Sequence, residues 1–324
     1  MEPVPPLPDF RIDTAPAFSI TGVDHAGPIS YLNDQSEPCK GYILLFVCSA
    51  TRATHLELVP NMSSVEFLLS LRKFLSRFGT TAKIISDNGL AFVRAAKELK
   101  IVYDHVKSPE VQRHLANSEI SWEFVAARAP WHCAWWERMV QTIKRPLRKV
   151  LGRNTLSFRE LETTLMEIEA LVNQRPLTSV QLDPNEIKAL CPADLVYGHH
   201  SKISLPEMRL KPRNKEAATS IVFSARWKYQ QAVLRNFQRR FREEYLQYLR
   251  SAHIRDPVTP RSIKVGDVCL LRDSAPSRAH WPLCRVLGLS GGERTDLRKR
   301  SCLIKMETGQ TFSRPIQLLY PLEV

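Results

Sequence analysis

Residues 18–59 read FSITGVDHAGPISYLNDQSEPCKGYILLFVCSATRATHLELV, and their reading decides the fold. Three stretches have strand character: FSITGVDHAG, the apolar GYILLFVCSA and the alternating ATHLELV. Turn-forming Gly, Pro, Asn and Asp separate them, which predicts an antiparallel meander with Asp24 on its first strand. Downstream, SSVEFLLSLRKFLSRFG (63–79) predicts a helix. Ser63 and Glu66 stand in capping-box spacing, Leu68, Leu71, Leu75 and Phe78 share a face, and Gly79 supplies the stop.

The strand AKIIS then ends at Asp87-Asn88-Gly89. After it come a helical FVRAAKELK, a short strand SWEFV and the helix that carries Glu137, within APWHCAWWERMVQTIKRPLRKVL (129–151). The order β-β-β-α-β-α-β-α is that of a ribonuclease H-like α/β domain, a mixed five-stranded sheet with helices, although periodicity alone also fits other mixed folds. TLSFRELETTLMEIEALVNQRP predicts a further amphipathic helix, stopped at Arg175-Pro176. SARWKYQQAVLRNFQRRFREEYLQYLR (224–250) is a basic helix with seven Lys/Arg against two Glu. Short strands in KVGDVCLLRD, WPLCRVLGL, SCLIKME and QTFSRPIQLLY then predict a small barrel. The expected organisation is a proline-rich leader (1–15), a core (16–205), a linker (206–222) and a C-terminal domain (223–324).

Lys and Arg total 46 against 33 Asp and Glu, a formal net charge of +13 at pH 7. That balance favours a polyanionic partner, nucleic acid foremost, over a merely basic soluble protein. The seven cysteines are scattered without a CxxC pair, which points to neither a disulfide framework nor a cysteine zinc site. The apolar run YILLFVC is far too short to span a bilayer, so no membrane partner and a soluble, intracellular protein are expected.

Three acids stand at ends of the predicted elements: Asp24, Asp87 and Glu137. Singly, each has a plainer reading. Asp-Asn-Gly is a turn signal, an Asp before Gly-Pro is a turn acid, and a Glu in the first turn of a helix complements its macrodipole. Together they have another. Asp24 and Asp87 leave adjacent strands on one edge, and the Glu137 helix packs across them, so three hard oxygen donors converge. Such a set suits Mg²⁺ or Mn²⁺, up to two ions roughly 3.5–4 Å apart, for in-line displacement at phosphorus. Gln141 and Lys144, four and seven residues beyond Glu137, share its helix face and are candidates to bind DNA; the plainer reading is a solvated face.

The chain resembles the integrases of Pao/BEL-type LTR retrotransposons. The matching stretches include TGVDHAGP, CSATRATHLELV, SDNGLAFVRAAKELK, APWHCAWWERMV, EIEALVNQRPL and CPADLVYG, and the likeness continues through the basic helix, VGDVCLLRD, WPLCRVLGL and SRPIQLLYPLE. The resemblance implies a D,D,E triad of Asp24, Asp87 and Glu137 acting as metal ligands and catalytic acids. It implies metal-dependent 3′-end processing and strand transfer by a homo-multimer on element-end and target DNA in the nucleus, reached from the cytoplasm. It also implies an SH3-like C-terminal barrel behind a DNA-binding basic helix, with Arg226, Lys228, Arg235, Arg239 and Arg240 as candidate contacts.

Three departures stand out. His132-Cys133-Ala134-Trp135 replaces a glycine-bearing loop, which implies a stiffer, bulkier segment before Glu137. Pro146 should kink or end the Glu137 helix. The family's His/Cys zinc module has no counterpart before the core, so no zinc is expected. These departures keep two rivals open: a non-enzymatic DNA-binding protein that has lost the chemistry, and a metal-dependent nuclease on the same fold that transfers to water.

Overall fold

The three strand-like stretches become β1 (Ile20–Leu32), β2 (Pro38–Cys48) and β3 (Thr54–Val59), paired antiparallel in succession. The computed structural model describes residues 15–79, 81–87, 92–98, 100, 120–124, 130–151, 156–180, 187–198, 218–254, 263–272, 281–291 and 299–322. Residues 1–14 of the leader and 206–217 of the linker expected at 206–222 lie outside them, and residues 218–222, expected as linker, are instead the start of a long helix. Ile43, Leu44, Leu45 and Phe46 on β2 are all fully buried, so both faces of the sheet are covered, as a continuous apolar run requires. β4 (Lys83–Ser86) lies parallel to β1, and β5 (Ser121–Phe124) lies parallel to β4. The order β3-β2-β1-β4-β5 makes a mixed five-stranded sheet of ribonuclease H-like topology.

Helix α1 (Ser64–Phe78) follows β3. The Ser63 hydroxyl accepts the Glu66 N–H at 3.3 Å, and the Gly79 N–H donates to the Leu75 carbonyl at 2.9 Å from a backbone at φ +88°. Both ends are therefore satisfied as the sequence predicts. The buried stripe is Phe67, Leu71 and Phe74, rotated by about one residue from the expected leucine face. Stacking is the reason: Phe74 lies flat on Phe46 with ring centroids 4.3 Å apart at 7°, and its edge meets Phe18 at 5.2 Å. A short helix α2 covers residues 92–98, and α3 (Pro130–Leu151) and α4 (Phe158–Asn173) follow β5.

Pro146 does not end α3, which runs on to Leu151. Pro146 is buried along with Leu147, which places the helix's imperfect turn against the core.

A charged network holds α4 and β3 together. Glu169 Oε2 lies 2.8 Å from His55 Nδ1 and accepts the Leu56 N–H at 2.9 Å. His55 Nε2 lies 3.6 Å from Glu57, which also pairs with Lys73. Burial works against the charged form of His55, but bonds to Glu169 and Glu57 outweigh it and raise its pKa above 6.5. Glu57 is desolvated, yet its bonds to His55 and Lys73 hold its pKa below 4.5. The His55 contribution is therefore full below pH 6.5 and lost as pH rises through the folded value. The Glu57 contribution is present above 4.5 and lost as pH falls through its folded value. Thermal melts from pH 3 to 9 should show stability falling on both sides of a plateau, and a Glu169→Gln chain should show a weaker alkaline limb.

The chain divides into two compact units, Met1–Glu169 and Ala170–Val324. The second contains a β6–β7 hairpin (Thr178–Val180, Lys188–Leu190), α5 (Pro192–Tyr197) and the long α6 (Ala218–Ile254). After these come β8 (Val268–Leu271), β9 (Leu283–Gly291), β10 (Lys299–Met306), β11 (Thr311–Pro315) and β12 (Leu319–Pro321). These five form one antiparallel sheet ordered β11-β10-β9-β8-β12, consistent with the SH3-like barrel. Tyr245, Leu246 and Leu249 of α6 pack with Val268, Leu270, Leu283, Tyr320 and Ile187, which fastens both helix and hairpin to the sheet. The Tyr245 hydroxyl donates to the Pro176 carbonyl at 2.8 Å. Cys269, Cys284 and Cys302 fill the sheet's other cluster at 0% exposure, and the six described cysteines are all thiols rather than disulfides. Among the described residues no helix is long and apolar enough to cross a membrane.

Candidate active site

Val23 on β1 pairs with Ser86 on β4, so Asp24 and Asp87 are the next residues along two adjacent parallel strands. Asp24 is half-buried, and Asp87 is exposed at the strand end. Asp24 uses both carboxylate oxygens: Oδ1 accepts the His25 N–H at 2.7 Å, and Oδ2 meets Lys144 Nζ at 2.6 Å. Burial raises the Asp24 pKa against the pull of Lys144, and the charge of Asp87 adds to the rise. Asp24, half-buried and beside the charge of Asp87, calls for a cation. Lys144 supplies it.

His25 stacks on Phe92 with centroids 4.6 Å apart at 21°, and burial depresses its pKa to about 4. At neutral pH it adds no positive charge.

Glu137 lies on α3, which packs against β1 and β2. Its side chain, with all others at 130–139, lies outside the described residues. The expectation of Glu137 in the first turn is corrected: α3 begins at Pro130, and Glu137 comes about two turns in. The loop expected at His132–Trp135 is likewise helical. Proline suits the first helical position, and no glycine follows to break the helix. Among the described residues no three His, Cys, Asp or Glu side chains gather to hold a metal.

Of the DNA-binding candidates, Gln141 is exposed on α3, and Lys144 is committed to Asp24. On α6, Lys228, Arg235 and Arg239 are exposed, and Arg226 and Arg240 are half-buried. The sequence reading missed Arg145 and Arg148, which continue the Gln141–Lys144 stripe and face a concavity beside β1. The signal was there in QTIKRPLRK, where residues 141, 144, 145 and 148 repeat at helical spacing.

The sheet order and the paired acids define a ribonuclease H-like core. Residues 225–322, α6 and the barrel, match a family described as a family of unknown function, DUF5641. A comparison with curated proteins finds no match. Among solved structures, the chain is similar to retroviral integrases. With the HTLV-2 integrase catalytic core in complex with magnesium, trimeric form, it shares 17% identity at a TM-score of 0.34, over 56% of this chain and 98% of that one. With the simian T-cell lymphotropic virus intasome in complex with the PP2A regulatory subunit B56 gamma, the values are 14% and 0.36, over 95% and 79%. With the catalytic core of BIV integrase they are 14% and 0.34, over 55% and 93%.

Proposed function

We propose that the chain is an integrase-like polynucleotidyl transferase of the Pao/BEL type, joining DNA ends to target DNA by metal-dependent phosphodiester transesterification. The observation that carries this reading is the register of β1 against β4, which sets Asp24 beside Asp87. Asp24, Asp87 and Glu137 would hold one or two Mg²⁺ or Mn²⁺ ions, and no zinc enters the scheme. The donor set fits: hard carboxylate oxygens, one already partnered by a cation. A bound ion would supply Lewis-acid polarisation at the phosphodiester. The chain's own groups do the rest. Lys144 offsets the charge between the acids, Gln141 offers an amide on the same face, and neutral His25 leaves the carboxylates dominant.

In this reading residues 16–205 serve as the catalytic core, and the α6 cations Arg226, Lys228, Arg235, Arg239 and Arg240 grip DNA phosphates. The acting form is a homo-multimer in the nucleus. The test is Mn²⁺-dependent phosphotransfer by the full chain on a branched DNA mimicking the strand-transfer product. Such a substrate presents the reacting groups together and demands least of end recognition. Turnover that stops on chelation is the expected result. A folded, DNA-binding chain without turnover would sink the transferase reading in favour of a DNA-binding protein, and transfer to water alone would make it a nuclease.

A further inference from the structure

A concavity of about 280 Å³ lies between residues His25–Ile29 of β1 and the outer stripe of α3. Its α3 wall carries Gln141, Lys144, Arg145 and Arg148. Its β1 wall carries no charged acid or base other than His25. The ladder to β2 shifts register between Ala26 and Ile29, a bulge that leaves Gly27 and Pro28 exposed. Only glycine fits position 27: φ is +144°, and a Cβ would meet Tyr42 Cδ1 at 2.9 Å. The result is a cleft with three cationic side chains on one side and the uncharged stretch Ala26–Ile29 with neutral His25 on the other, and no carboxylate among its lining residues.

We infer that this cleft is a phosphodiester-binding subsite for the DNA strand that enters the carboxylate site. The inference rests on the proposed DNA reading and adds to it Arg145, Arg148 and the β1 bulge. Three features favour it over a merely solvated basic face. The cleft is concave, and its volume approaches the ~300–1,000 Å³ typical of ligand pockets, more than a lone ion fills. Arginine forks suit phosphate oxygens, and two arginines three residues apart present adjacent forks to one strand. Lys144 both lines the cleft and touches Asp24 at 2.6 Å, so a phosphate bound there lies within one side chain of the proposed catalytic acid.

The test uses the full chain and fluorescence anisotropy with labelled branched DNA, from about 50 to 200 mM salt. Arg145→Gln/Arg148→Gln should weaken binding about tenfold per arginine and flatten the salt slope by about 1 for each. Arg148→Lys should lose less affinity than Arg148→Gln and leave the salt slope unchanged, because the charge is retained while the fork is lost. Arg72→Gln, which removes one charge on exposed α1 as each of the two arginine changes does, should change neither quantity. Mn²⁺ affinity by calorimetry should be unchanged in the double variant, which also shows that the fold survives. A double variant that binds DNA like the wild type, or an equal loss in Arg72→Gln, overturns the subsite and leaves the DNA reading standing. A wild-type chain that binds no DNA overturns both. The expected affinity losses without any phosphotransfer would support the subsite and sink only the transferase chemistry.

Discussion

Replacing Asp87 by Asn is expected to cut Mn²⁺-dependent turnover of branched DNA by about 10³-fold, with the melting temperature held or raised. The magnitude follows from the several kcal/mol that a Lewis-acid metal contributes to phosphoryl transfer, at about 1.4 kcal/mol per decade of rate. The sign of the stability effect follows from position. Asp87 is exposed at the end of β4, and its charge works against ionised Asp24. Removing a like charge relieves that repulsion. Glu137→Gln should lose as much turnover, and Asp24→Asn as much again, but Asp24→Asn also strips Lys144 of its carboxylate partner. Asp87→Asn therefore separates chemistry from folding where Asp24→Asn does not. Single-turnover kinetics, Mn²⁺ calorimetry and a thermal melt on each variant decide the matter. Unchanged Mn²⁺ affinity in Asp87→Asn would remove Asp87 from the metal site.

The second large effect is structural. Glu169→Ala is expected to destabilise the first unit by about 3–5 kcal/mol, the usual cost of deleting one partner of a buried ion pair. Both His55 and the Leu56 N–H lose their shared acceptor, and neither is near water: His55 is 6% exposed and Glu169 5%. Glu169→Gln keeps an acceptor for one donor and should cost less. Differential scanning calorimetry reads the result directly, at roughly 2–4 °C per kcal/mol for a unit of this size. A shift of under a degree for the alanine variant would show that water reaches His55 and restores its bonds.

Much of this arrangement is legible in the sequence. Strand alternation and turn residues locate β1 to β5, and once the meander is accepted the parallel return of AKIIS brings Asp24 and Asp87 side by side. The Glu169 network is harder to see, because a glutamate in an amphipathic helix reads as surface. The clue is periodic: Leu161, Leu165, Ile168 and Val172 form the apolar arc of α4, and Glu169 sits four residues after Leu165, inside that arc. An acid there needs a buried partner, which His55 in ATHLELV provides. The extent of α3 was misread for the opposite reason. Likeness to a family with a glycine-bearing loop outweighed the local evidence, where Pro130 opens a helix that nothing interrupts before Glu137. The concavity beside β1 depends on a strand bulge, and bulges leave little trace in composition beyond a Gly-Pro pair.

The three cysteines sealed in the C-terminal sheet give this unit a built-in clock. A thiol reacts as its thiolate. Burial pushes Cys284 up to about 12 and raises Cys302 as well. With the sheet intact both are therefore inert to alkylating reagents twice over, by access and by protonation. Each labelling event at Cys284 marks one excursion in which the strands parted, so the rate of maleimide incorporation counts openings of the barrel without any engineered probe. Buried Cys48, 1% exposed on β2, reports from the first unit in the same reaction, and mass spectrometry of the two peptides would time the breathing of each unit separately.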